Sequence, residues 1–227
     1  MYTYAFLKPP QTPITLPPGI QHPTQIIQGD HLCALVEPEL SPGTLDDKSE
    51  DQLMQAVLNH DRVLCEVFRQ TDLLPLRFGT CFISLTALLE HLQQHQESYS
   101  KKLETLAGKA EFTLKCIPLE VSSTAPPAVS ETPLKGRDYF LAKKRLYEQQ
   151  SQQQQGQESQ WEELSQTLTE FTSEIVWAEP QGNHKKVYVL IPRIQESELI
   201  EKWQVWQSEY SQWQLSLSEG LPPYHFV

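Results

Sequence analysis

The run from His60 to Phe82, HDRVLCEVFRQTDLLPLRFGTCF, constrains the fold more than any other part of the chain. It joins a helix end to an apolar strand that carries one isolated Arg and a Gly. From Ser49, acidic Glu50 and Asp51 favour the positive end of a helix dipole, and Leu53, Val57, His60, Leu64 and Val67 fall on one face. That helix is expected to end near Gln70. Leu74, Leu76 and Phe78 then alternate as a strand, with Pro75 and Arg77 on the opposite side. Pro75 cannot donate to a central ladder, so the strand is an edge or has an irregular start. Gly79 reads as a bulge or tight turn, since a lone Gly without a Gly-x-x-x-x-Gly-Lys pattern does not make a phosphate loop.

The elements before and after this run set the organisation. Tyr2 to Leu7 alternates aromatic and small residues like a short strand, and the Pro-rich stretch Pro9 to Pro23 lacks the amide donors for regular structure. Gln25 to Val36 reads as a hairpin broken at Gly29-Asp30. A second helix is expected from Ser84, a good N-cap type, to a stop at Gly108. This makes a first α+β domain over 1–108, of order β-β-β-α-β-α. In the remainder, Glu111 to Leu119 reads as a strand and Arg137 to Phe171 as helical. Glu174 to Ala178 and Lys186 to Ile191 read as a strand pair turned by Pro180-Gln181-Gly182-Asn183. Glu196 to Trp213 reads as helical, and Gln214 to Leu217 starts a last strand. That βαββαβ order predicts a modified ferredoxin-like second domain over 109–227. Within its first helix, QQSQQQQGQESQ has nothing to bury; Gln149 to Gln160 either projects as helix or forms a mobile excursion, and Gly156 favours the excursion.

Composition excludes several functions. The chain has 227 residues and a net charge of -11, which opposes binding to nucleic acid or to an anionic lipid membrane. Cys33, Cys65, Cys81 and Cys116 have no metal-ligand spacing and are expected as reduced, mostly buried thiols. No signal peptide or spanning segment is apparent, so an intracellular, cytoplasmic protein is expected. His60-Asp61 reads as a core or interface His beside a surface acid, because adjacent helical residues do not face each other. His91 and His95 have metal-like spacing but no third ligand, and read as a solvated helix face. Trp203, Trp206 and Trp213 read as core packing. No catalytic, cofactor or metal motif appears, so a non-enzymatic protein is expected. Arg77 is expected either to pair with Asp61 or Asp72, or to recognise a partner's carboxylate or carbonyl row.

Read together, several pieces resemble the gas vesicle protein F/L family (GvpF/GvpL), accessory proteins of prokaryotic flotation organelles. They are the His-Asp helix followed by Leu74-Pro75-Leu76-Arg77-Phe78-Gly79-Thr80, with Tyr2-Thr3-Tyr4-Ala5, Gly108-Lys109-Ala110-Glu111-Phe112, Gly136-Arg137-Asp138-Tyr139-Phe140-Leu141, and Pro222-Pro223-Tyr224. Gly220 and Leu221 depart from the family's pattern, which carries a Trp and an extra Pro there. The resemblance implies two α+β domains and a gas vesicle accessory or minor structural protein. It would bind the very hydrophobic major shell protein, with other accessory proteins as further candidates, and assist vesicle assembly. The implied partner-binding residues are Leu76, Arg77, Phe78 and Tyr224. The rival expectation is a ferredoxin-like regulatory module that binds a small ligand.

Overall fold

The computed structural model describes residues 1–41, 43–46, 48–119, 137–180 and 182–227. It divides into two compact units, each built on a four-stranded sheet. The first comprises Met1–Glu111 with Leu190–Arg193 and Gly220–Val227; the second comprises Phe112–Val189 and Ile194–Glu219. The architecture is mixed α+β.

In the first unit, β1 (Tyr2–Leu7), β2 (Gln25–Gln28), β3 (Cys33–Glu37) and β4 (Leu74–Pro75) form a sheet of order β2-β3-β1-β4. The expected hairpin is β2–β3, antiparallel and turned at Gly29, whose N–H donates to the Leu32 carbonyl at 2.8 Å. All residues of β1 and β3 are buried. Between Thr3 and Ala5 the register of β1 against β3 slips by one residue. Such a bulge changes which face successive side chains take. Tyr2 and Tyr4 accordingly meet His60, while Phe6 meets Phe82 and Tyr99.

The short helix α1 (Gly43–Asp46) precedes α2 (Glu50–Phe68), which Ser49 starts with a full capping box to Gln52. The expected apolar stripe holds only in part. His60, Val63, Leu64 and Val67 are buried, but Leu53 and Val57 are each 38% exposed. The expected strand Leu74 to Phe78 shrinks to two residues, paired with Phe6 and Ala5 at the sheet edge. Pro75 has no N–H to extend the ladder, and the chain turns away after Leu76 donates to the Tyr4 carbonyl. Ser84 caps α3 (Leu85–Gln94) as expected, but a break at His95 separates it from α4 (Gln96–Leu106). His95 leaves helical backbone at φ -106°, ψ 10°, and its Nδ1 lies 2.9 Å from the His91 carbonyl oxygen. The two imidazoles lie 4.3 Å apart, so this face is an aromatic cluster with Tyr99. Gly108 ends the segment at φ +68°, where a side chain would be strained.

The second sheet contains β5 (Lys109–Pro118), β6 (Ile175–Trp177), β7 (Lys185–Pro192) and β8 (Trp213–Leu217) in the order β6-β7-β5-β8. Helix α5 (Arg137–Phe171) connects β5 to β6. A 3-10 turn (Arg193–Gln195) and α6 (Glu196–Glu209) connect β7 to β8, so the last helix stops short of the expected Trp213. Gln181 of the expected Pro180–Asn183 turn and Gly136 lie outside the described residues; Gly182 has φ +63°.

Gln149 to Gln160, expected to leave the helix, stays in it, so α5 runs 35 residues, about 50 Å at 1.5 Å per residue. The Gln face is not idle. Gln153 and Gln157 donate to the Leu119 carbonyl at 2.7 and 2.9 Å, and Gln160 accepts from the Gln212 N–H at 3.0 Å. Trp213 Nε1 donates to the Gln157 carbonyl. Gly156 lets Gln212 come close, since a Cβ there would sit 2.7 Å from its amide nitrogen. The helix then buries Leu164 and Leu168, with Trp161 set against Trp177 and Trp213.

Candidate functional site

The signature run is clamped from below by one histidine. His60 is buried on α2, with Tyr4 stacked on its ring at 5.2 Å and Phe78 edge-on at 5.7 Å. Its Nε2 lies 3.2 Å from the Leu76 carbonyl oxygen and its Nδ1 lies 2.8 Å from the Tyr2 hydroxyl. A carbonyl can only accept, so Nε2 carries the proton and Nδ1 accepts from Tyr2. The Tyr2 oxygen in turn accepts from the Gly79 N–H at 3.1 Å. Burial pushes the imidazole down to about 4, against the Leu76 carbonyl and Asp61, which favour its charged form. His60 is therefore a neutral tie between β1, α2 and both sides of the Arg77 turn.

The turn itself is Arg77-Phe78-Gly79-Thr80, closed by the Thr80 N–H on the Arg77 carbonyl at 3.1 Å. Gly79 sits at its third position with φ +88°, the geometry of a type II turn. A Cβ at Gly79 would meet no atom within 4 Å, so a substitution there isolates backbone strain. Gly79→Ala is expected to cost about 1 kcal/mol in urea denaturation, from its left-handed φ alone.

Of the four residues implied as partner contacts, three are turned inward. Leu76 packs against the core cluster of the first unit, and Phe78 meets Tyr2 and His60. Tyr224 donates to Asp61 at 2.5 Å and lies 3.9 Å from the Cys65 sulfur; burial and Asp61 raise its phenol. Arg77 is exposed, and the acids expected to pair with it are engaged elsewhere. Asp61 takes Tyr224, while Asp72 takes Arg193 at 3.3 Å and the Gly108 N–H at 3.0 Å. Of the two alternatives for Arg77, the pair with Asp61 or Asp72 is not formed, and its exposed side chain belongs to the turn closed by Thr80. Close by in sequence, Ile83 is 94% exposed and Leu85 is also exposed.

Two buried carboxylates escaped the sequence reading. Glu37, at the end of β3, is fully buried and accepts from Tyr4 and from three successive backbone N–H groups, Ile20, Gln21 and His22, at 2.5 to 2.8 Å. It anchors the Pro-rich stretch, and Gly19 is required there because a Cβ would come within 2.2 Å of its carboxylate and 2.6 Å of the His22 carbonyl. Glu111 is buried and accepts from the His225 backbone N–H and lies 2.7 Å from His225 Nδ1. Burial raises its carboxyl, against those contacts with His225. With Phe226 on the core cluster, residues 220–227 are tied down along their length. The one available signal was an acid inside an apolar run, CALVE or AEF.

A cleft of about 430 Å³ lies between the Pro9–Ile14 segment and α4, with Lys8, Asp72 and Glu104 on its wall; none of the four implied contact residues lines it. Among the described residues no group of three His, Cys, Asp or Glu side chains is placed to hold a metal, and no helix is long and apolar enough to cross a membrane.

The chain has the fold of two solved proteins. It is similar to the gas vesicle protein GvpF of Anabaena sp. PCC7120, with a TM-score of 0.71 at 18% identity over 99% of this chain and 94% of that one. It is similar also to GvpF of Microcystis aeruginosa, with a TM-score of 0.72 at 17% identity over 99% and 97% of the two chains. No curated protein sequence matches it. The model of the gas vesicle synthesis protein GvpL/GvpF family matches residues 1–227, and the chain belongs to that family.

Proposed function

We propose that this protein is a non-enzymatic accessory factor of the gas vesicle that holds the very hydrophobic major shell protein during assembly. The observation that carries the reading is the Arg77 turn. Its backbone is fixed by the Tyr2–His60–Leu76 hydrogen bonds, yet it presents an exposed guanidinium, with exposed Ile83 and Leu85 a few residues on. A rigid turn with one cation and nearby apolar side chains suits capture of an apolar segment that ends in a carboxylate or a row of carbonyls. Gas vesicle family membership supplies the partner class. On this reading the protein works at the gas vesicle and from the cytoplasm, and the second unit, whose βαββαβ order is that of the ferredoxin-like arrangement, stabilises and spaces the first.

The test is capture of co-expressed shell protein by the full chain. Arg77→Ala is expected to leave the melting curve unchanged, because the side chain is exposed, and to reduce shell-protein retention about tenfold or more. Undiminished retention by a folded Arg77→Ala protein overturns the assignment of this turn, and no retention by the wild type overturns the function itself.

A further inference from the structure

The two edges of the first sheet are built differently. At one, β4 is two residues long, and Pro75 has no N–H to offer a further strand. At the other, β2 is Gln25-Ile26-Ile27-Gln28 in unbroken register with β3, so it lacks the charges, prolines and bulges that keep edge strands apart. This edge lies within residues 1–41, all of them described. The Gly29 N–H donates to the Leu32 carbonyl, and hydrogen bonding alternates along an antiparallel pair. Gln25 and Ile27 therefore turn their main-chain groups to β3, while Ile26 and Gln28 turn theirs outward. Among the described residues no hydrogen bond from outside the sheet reaches those outward groups. Ile27 packs on the core cluster that holds Leu88 and Leu92, and a Cβ on Gly29 would stand 3.6 Å from Leu92 and 3.9 Å from Leu89. Gln25, Ile27 and Gly29 thus share the face that α3 covers. Beside Gly29, which has no side chain, a cavity of about 340 Å³ opens against Leu89, Glu90 and Gln93 of α3.

We infer that β2 of one copy of this protein pairs antiparallel with β2 of a second copy, across a twofold axis at Ile27. Outward groups must face outward groups, and the register that sets Ile26 of each copy opposite Gln28 of the other does so at both ends, with four main-chain hydrogen bonds. The same register sets Ile27 against Ile27, so the two apolar side chains join one core cluster to the next. It also brings Gln25 of each copy opposite Gly29 of the other. The cavity there calls for a long, uncharged side chain that can donate to Glu90, and Gln25 supplies both the length and the NH2 group. Charge favours the same place. Two molecules of net charge -11 repel each other, and the four residues of β2 carry none of that charge. The contact is isologous, so it closes at two copies and joins two sheets of four strands into one of eight.

This pairing requires no shell protein, so it is tested on the full chain alone. Sedimentation of the wild type over about 1 µM to 1 mM is expected to show the mass rising from 26.1 kDa toward twice that value and no further. Gln28→Pro removes an outward N–H and spares the bonds between β2 and β3, a change that edge strands accept. It is expected to weaken pairing about tenfold or more with little shift of the urea midpoint. A cross-link reads the register. Facing Cα atoms of a pair without mutual hydrogen bonds stand about 4.5 Å apart, within disulfide reach, so oxidised Ile27→Cys is expected to form a covalent dimer, with oxidised wild type as the blank. Gln25→Cys, at a more exposed position, lies roughly 13 Å from its own counterpart in this register and is expected to stay uncrosslinked. A folded Gln28→Pro chain that associates like wild type overturns the proposal, as does cross-linking at residue 25 equal to that at residue 27. A wild type that stays at the monomer mass overturns it too, and if Gln28→Pro then lowers capture of the shell protein, the edge belongs to that partner instead.

Discussion

Glu37→Gln is expected to destabilise the protein by about 3–5 kcal/mol, nearly as much as Glu37→Ala, although it changes the shape of the side chain hardly at all. The reason is the direction of its hydrogen bonds. Every partner is a donor: the Tyr4 hydroxyl and three consecutive backbone N–H groups converge on two carboxylate oxygens. An amide offers one accepting oxygen and turns an NH2 group toward the remaining donors, so two of the four donors, either the Tyr4 hydroxyl and the Ile20 N–H or the Gln21 and His22 N–H groups, lose their acceptor in a site with no solvent access. Each orphaned buried donor costs about 1–3 kcal/mol. Glu37→Asp retains the charge but shortens the reach by one methylene, so it is expected to fall between the two. The check is the urea midpoint of the three variants at neutral pH. A Gln variant as stable as wild type would show that the Pro-rich stretch holds its course without the carboxylate.

Acidification is expected to destabilise the protein through His60 by up to about 3 kcal/mol. In the unfolded chain the imidazole titrates near 6.5; in the folded protein burial holds it down to about 4. Above about pH 6.5 both states are neutral at this residue and its contribution is fully present. As pH falls from there toward 4, only the unfolded chain takes up the proton, so stability is lost across that window and levels off below it. The gap of some 2.5 units, at 1.36 kcal/mol each, sets the limit of about 3 kcal/mol. Glu111 acts in the opposite sense, because its raised carboxyl is protonated first in the folded state. The comparison that isolates His60 is wild type against His60→Gln, unfolded by urea at about pH 7 and about pH 4.5. The variant is less stable at neutral pH and loses less on acidification. Equal losses in the two proteins would remove His60 as the source.

What the sequence made legible was local. Ser49 and Ser84 start their helices with their own side chains, and Gly29 turns the β2–β3 hairpin within four residues. The strand order around β1, β3 and β4 and the course of α5 depend on partners far along the chain. The Gln face of α5 read as a segment with nothing to bury because periodicity weighs apolar residues, whereas its partners are the carbonyl of Leu119 and the backbone of Gln212. Leu53 and Val57 continued an apolar stripe whose later turns are covered, and periodicity cannot say how far the cover extends. At the site, the inward role of His60 followed from its place on an apolar face, and Gly79 from its residue type. Arg77 could be singled out but not oriented, since the fate of Asp61 and Asp72 was decided by Tyr224 and Arg193, more than 100 residues later. Glu37 remained hidden for a related reason: an acid at the end of a strand reads as a surface residue until its three amide partners are seen.

The division of the chain also sets a timetable for synthesis. Glu111 is made long before His225, and Asp61 and Cys65 long before Tyr224. While the ribosome is still adding residues 112–219, Asp61 and Cys65 on α2 await their contacts with Tyr224, and the core cluster still lacks Phe226. Most of the first unit is translated early, but it is completed last, and a nascent chain stalled before residue 220 would carry a signature turn without its final brace.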